Sequence, residues 1–130
     1  MWCNSVIEHV TVSKEHRDQM SHEAFVSAAS AHQSAFAAEI SRISQRYCVQ
    51  TPNLHYPLES HAVLPLVQYL EMPQRERLAE LTSKFWIAAW EADYLLFDRD
   101  RFAAAFPDAD EIIDEKTLGL TKSFTAIRRG

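Results

Sequence analysis

The sequence predicts an all-α domain, and three observations carry that reading. Glycine occurs twice in 130 residues, too rarely for the turn-rich sandwiches and barrels. Alanine, the strongest helix former, is abundant. Two long stretches also repeat their apolar residues at steps of three and four, the period of an amphipathic helix. At 47% hydrophobic and 24% charged residues the composition is ordinary for a globular chain. Residues 1–130 read as a single helical domain: two long helices plus about three short ones in a compact bundle.

Residues 5–12 are β-branched and loosely alternating, which fits a short strand. Its only candidate partner is the tail from Leu120 to Ile127; the alternative is two terminal arms. Ser13 can cap a helix with Glu15 in its first turn, and Ser21 with Glu23 offers a second start. From there Phe25, Ala29, His32, Phe36, Ile40, Ile43 and Tyr47 form a regular stripe. A long helix is therefore expected from 14 or 21 to 48. Residues 49–60 hold two prolines and an asparagine and read as a loop. A short helix is expected from Pro65 to Glu71.

The second long helix is expected from Pro73 to Phe97. Proline suits a first turn, and Leu78, Leu81, Phe85, Ala88, Ala92 and Leu95 share one face. A second stripe carries Trp86, Trp90, Tyr94 and Phe97. Together they cover well over half the circumference, so the helix needs cover on two sides. Asp98 or Asp100 can cap a short helix through Phe106, which Pro107 ends. Asp108 and Asp110 can cap a last one through Ile112 and Ile113, ending at Gly119.

A net charge of −5 argues against direct nucleic-acid binding, which needs a basic surface. No run is long and apolar enough to span a bilayer, and Met1-Trp2-Cys3-Asn4 lacks a basic leader start. With only Cys3 and Cys48, a reduced, cytoplasmic setting is the simplest expectation. No metal or other cofactor is expected: none of the six histidines stands three or four residues from another, and no His-Glu-x-x-His or Cys-x-x-Cys occurs.

Two functional readings follow. The first is a small acidic protein-binding module that occludes or bridges a protein partner, of the inhibitor, immunity or adaptor type, a phage- or plasmid-borne inhibitor of a nucleic-acid enzyme among them. Its contact residues would be Trp86, Trp90, Tyr94 and Phe97, docking a partner or a second copy as a homodimer, since tryptophan and tyrosine anchor interfaces. Folding of the short helices over these four is the competing reading. The second is a small enzyme. His32 on one apolar seam and Asp93 between the stripes of the other helix would meet as a buried acid–base pair in a helix-lined pocket.

Overall fold

The computed structural model describes residues 1–86 and 90–130. It corrects the all-α bundle to a mixed α/β fold. In chain order the elements are β1 (Trp2–Asn4), a 3-10 turn (Ile7–His9), α1 (Lys14–Arg17), α2 (His22–Ile43), β2 (Tyr47–Pro52), β3 (Leu58–Glu59), β4 (Leu64–Pro65), a second 3-10 turn (Val67–Tyr69), α3 (Met72–Thr82), α4 (Arg99–Ala105), β5 (Glu111–Thr117) and β6 (Leu120–Arg128). One sheet has the order β1-β2-β6-β5, and β3 and β4 make a separate two-stranded ribbon.

Helix α2 begins where Ser21 accepts the Ala24 N–H at 3.2 Å, a side-chain N-cap. Its buried face is Phe25, Ala29, Gln33, Ala37 and Ile40. The helix stops at Ile43, short of the expected 48. From Tyr47 onward period two takes over: Tyr47, Val49 and Thr51 point inward while Cys48, Gln50 and Pro52 point outward. The tail expected to pair with residues 5–12 forms β6 instead, antiparallel to both β2 and β5. The chain start joins the sheet through Trp2–Asn4, parallel to β2. Ile112 and Ile113 lie in β5, not in a helix. The residues from Pro65 make the end of β4 and a 3-10 turn.

The inner sheet face meets α2 and α4. Tyr47, Val49, Phe124 and Ala126 pack there with Ala37, Ile40, Phe102 and Phe106, and with Ile7 and Phe97 from the connecting segments. Asp98 caps α4 by accepting the Arg101 N–H at 2.8 Å. A smaller cluster joins Phe25 and Ala29 of α2 to Met72 and Ala92.

The long helix from Pro73 to Phe97 is the largest correction. The chain is helical only over Met72–Thr82, opened by Pro73 and by the Glu71 N–H donating to Gln74 Oε1 at 3.0 Å. Near its end the Thr82 and Ser83 hydroxyls donate to the carbonyls of Leu78 and Glu80 at 2.8 and 2.7 Å. Ile87, Ala88 and Ala89 lie outside the described residues. From Trp90 to Phe97 the chain forms no helix: Ala92, Tyr94, Leu96 and Phe97 turn inward, Glu91 is exposed, and Trp90, Asp93 and Leu95 are half-buried. There the Leu95 N–H bonds to the Glu8 carbonyl at 2.9 Å, and the Leu54 N–H bonds to the Phe97 carbonyl at 2.8 Å. Tyr94, Leu96 and Phe97 are buried. Apolar residues on both faces of so short a window fit a helix and an extended segment equally well. Among the described residues, no helix is long and apolar enough to cross a membrane.

Candidate functional site

Three segments converge beside the smaller core cluster. The first is the 3-10 turn. Ile7 is wholly buried in the main core, and the backbone bond from Leu95 holds the turn against the 90–97 segment. Those two restraints leave Glu8 inside, with no exposed surface, and His9 at the rim. The second is the ribbon, with Glu59 at the end of β3 and His61 in the loop that leads to β4. The third is Asp93–Tyr94.

The side chains form a continuous polar chain. His61 Nδ1 lies 2.6 Å from Glu59 Oε1, and the Ala62 N–H donates to the other Glu59 oxygen at 2.5 Å. His61 Nε2 faces His9 Nε2 at 2.9 Å. On the far side of His9, Nδ1 lies 3.8 Å from Asp93 Oδ1. Glu8 Oε2 accepts the Thr51 hydroxyl at 3.0 Å. Glu8 Oε1 is 3.7 Å from His61 Nε2 and has no hydrogen-bond partner among the described residues. Tyr94 stacks on the His61 ring with centroids 4.8 Å apart. The Arg75 guanidinium lies 4.7 Å from the Tyr94 ring centre, pinned by the carbonyls of Leu70, Tyr94 and Gln68 at 2.9 Å each.

The charges are strongly coupled. Burial alone would lower the His61 pKa, but the facing carboxylates of Glu59 and Glu8 outweigh it and push it up to about 9. Burial raises the Glu59 carboxyl; His61 and the Ala62 N–H pull it down further, so the net shift is downward. His9 draws the Asp93 carboxyl below its usual range against a smaller burial effect, with Arg17 assisting. The Tyr94 phenol is pushed up, by burial first and then by the Glu59 charge. A carboxylate-oriented imidazole pair of this kind can hold a proton or a metal ion.

A cleft of about 720 Å³ opens beside this chain, with His9 and Asp93 in its wall. Its other walls come from residues 11–18, from α3 and from Trp90. The Trp90 indole N–H donates to Thr82 Oγ1 at 3.1 Å, which fixes the ring.

His32 and Asp93 do not pair. The exposed His32 ring meets the Thr11 carbonyl at 2.8 Å, while the Thr11 hydroxyl donates to the Asp93 carbonyl at 3.4 Å. Asp93 turns its carboxylate to His9 instead. The four stripe aromatics also part company. Tyr94 and Phe97 are buried, Trp86 donates to the Ala62 carbonyl at 2.7 Å, and Trp90 lines the cleft. Sequence reasoning missed Glu8, His9, Glu59 and His61. Their signal is an acid beside a histidine, twice: Glu8-His9 and Glu59-Ser60-His61. Neither has a helical spacing, and 50 residues separate the two pairs, so only the fold brings them together.

No protein-family model, curated protein or solved structure matches the chain.

Proposed function

We propose that this chain is a protein-binding module that takes a basic segment of its partner into the cleft beside Trp90. The cleft carries the proposal. Its wall holds five carboxylates, on Asp18, Glu76, Glu80, Glu91 and Asp93, against the cations Lys14 and Arg17. Arg17 is already spent on Glu76 at 3.0 Å. A fixed indole beside surplus carboxylates suits a lysine or arginine side chain, which gains cation–π contact and a counter-charge together. The volume of about 720 Å³ is of the size that encloses a small ligand or a few side chains.

The net charge of −5 steers such a module toward a basic surface, in keeping with occlusion of a partner's basic site by an inhibitor or adaptor. Trp90 is the aromatic anchor, backed by the smaller core cluster of Phe25, Ala29, Met72 and Ala92; the buried Tyr94 and Phe97 are not available to a partner. A cytoplasmic setting belongs to the same proposal and is supported by the free thiols of Cys3 and Cys48. Titration with a hexa-arginine peptide, followed by calorimetry, tests the reading. Binding should weaken about tenfold or more in Trp90→Ala and in Glu80→Gln/Glu91→Gln, with a steep loss in salt. Equal affinity in wild type and both variants would overturn it.

A further inference from the structure

Histidine spacing along the chain predicts no metal ligands, yet the fold assembles a donor set from distant residues. We propose that Glu8, His9 and His61 bind a divalent first-row transition metal ion of the zinc type. Glu8 Oε1 and one ring nitrogen from each histidine lie within 4.8 Å of one another. The two Nε2 atoms are 2.9 Å apart. Nitrogens held about 2.1 Å from one ion, at angles from right to tetrahedral, lie roughly 3.0–3.4 Å apart. The imidazole pair is therefore close to ligating geometry, and Glu8 needs only a small side-chain shift to complete it.

Two independent features point to a cation at this spot. The first is Glu8 itself. It has no exposed surface, one oxygen is anchored by Thr51 at 3.0 Å, and the other has no hydrogen-bond partner among the described residues. A buried carboxylate oxygen without a hydrogen bond is costly and draws a positive charge, which the His61 ring at 3.7 Å faces in the metal-free chain and a metal ion bound between the rings would supply in its place. The second is the outer shell. His61 Nδ1 is held by Glu59 at 2.6 Å, and His9 Nδ1 faces Asp93 at 3.8 Å. Carboxylates behind both rings turn Nε2 of each toward the gap, as the partners of metal-bound histidines do.

The donor set also names the ion class. Two imidazoles and one carboxylate, with no thiolate, suit Zn2+, Fe2+ and their neighbours over Ca2+ or Mg2+, which prefer all-oxygen shells. Three protein ligands leave at least one position for water or an outside ligand. His9 is solvent-exposed, which gives the ion a way in. In the metal-free chain the 2.9 Å contact between the rings is an N–H···N hydrogen bond, and the ion must displace that hydrogen to reach both nitrogen lone pairs.

The test uses the full chain, stripped with a chelator and dialysed, and titrated with Zn2+ against a chromophoric competitor. One ion per chain is expected. Glu8→Gln and His61→Ala should each weaken binding about a hundredfold or more, and the outer-shell change Glu59→Gln about 10- to 100-fold. His32→Ala and His55→Ala, at histidines outside the set, should leave it unchanged. Circular dichroism of each variant separates ligand loss from misfolding. If His61→Ala does not fold, Co2+ added to wild type decides: a visible spectrum of a four- or five-coordinate ion, broadened ring signals of His9 and His61, and a shift of both to about 10- to 100-fold higher Co2+ in Glu59→Gln support the site. No stoichiometric binding in wild type would overturn it. So would Zn2+ affinity that survives Glu8→Gln and disappears in His32→Ala or His55→Ala.

Discussion

Thr51 donates its hydroxyl hydrogen to Oε2 of Glu8 across 3.0 Å, and both residues are fully buried. Strand β2 thereby anchors the 3-10 turn that carries His9. A hydrogen bond to a charged group contributes about 1.5–3 kcal/mol. Thr51→Val keeps the shape and removes the donor, so in metal-free protein it should cost about 2 kcal/mol in urea unfolding. Combined with Glu8→Gln the cost should fall short of the sum, because the two changes remove one shared interaction. Simple additivity would show that the contact contributes nothing.

The His61 ring gives the metal-free protein a pH signature. Its pKa rises from 6.5 to about 9 on folding, so the native state binds the proton more tightly than the unfolded chain. The sign follows: the stabilisation is complete below about pH 6.5, declines as pH rises, and is gone above about pH 9. Thermal melts in chelator should show the wild type losing its advantage over His61→Gln across that window. An advantage that is constant, or that grows with pH, would contradict the assignment of the proton to His61.

Phe102 makes the core prediction. It is wholly buried, with ring centroids of Phe97, Phe106 and Phe124 at 5.6, 5.3 and 5.9 Å. Phe102→Ala should cost about 3–5 kcal/mol. Trp90→Ala, at a half-buried ring in the cleft wall, should cost less than half of that. Urea melts of the two variants rank them, and a reversed order would move Trp90 from the cleft wall into the core.

Local signals in the sequence did locate parts of this molecule. Ser21 starts α2, Asp98 starts α4 and Pro73 lies in the first turn of α3, because caps act over three or four residues and leave a local trace. Long-range pairing left no such trace. Tyr47 satisfies both the last step of a helical stripe and the first inward position of β2, and only its pairing with Arg128 and its packing with Phe124 and Ala126, all distant in sequence, decide between them. The apolar run from Trp90 to Phe97 is equally ambiguous: its half-buried residues Trp90 and Leu95 are as apolar as its buried ones, so the inward alternation does not show in the residue types. The candidate site fails for the same reason. Glu8 and His61 meet through β2, the ribbon and the 90–97 segment, none of which a helical reading contains. Low glycine content misled as well, since this sheet needs glycine at one tight turn only.

That turn supplies the last prediction. β5 and β6 are joined through Leu118 and Gly119, with φ of 52° and 81°. Positive φ at both central residues is the pattern of a two-residue hairpin turn of type I′, which matches the twist of the strands and favours Asn-Gly. Gly119 adopts it without strain. Leu118 does not, since a left-handed conformation costs an ordinary L-residue roughly 1–2 kcal/mol. Its side chain is 97% exposed and gains nothing from burial in return. Leu118→Asn should therefore stabilise the fold by about 0.5–1 kcal/mol. Gly119→Ala, where an added Cβ meets no atom within 4 Å, should destabilise by about 1 kcal/mol through backbone conformation alone. Paired urea melts measure both. A Leu118→Asn protein no more stable than wild type, beside an unaffected Gly119→Ala, would mean that the hairpin turn adopts another conformation in solution.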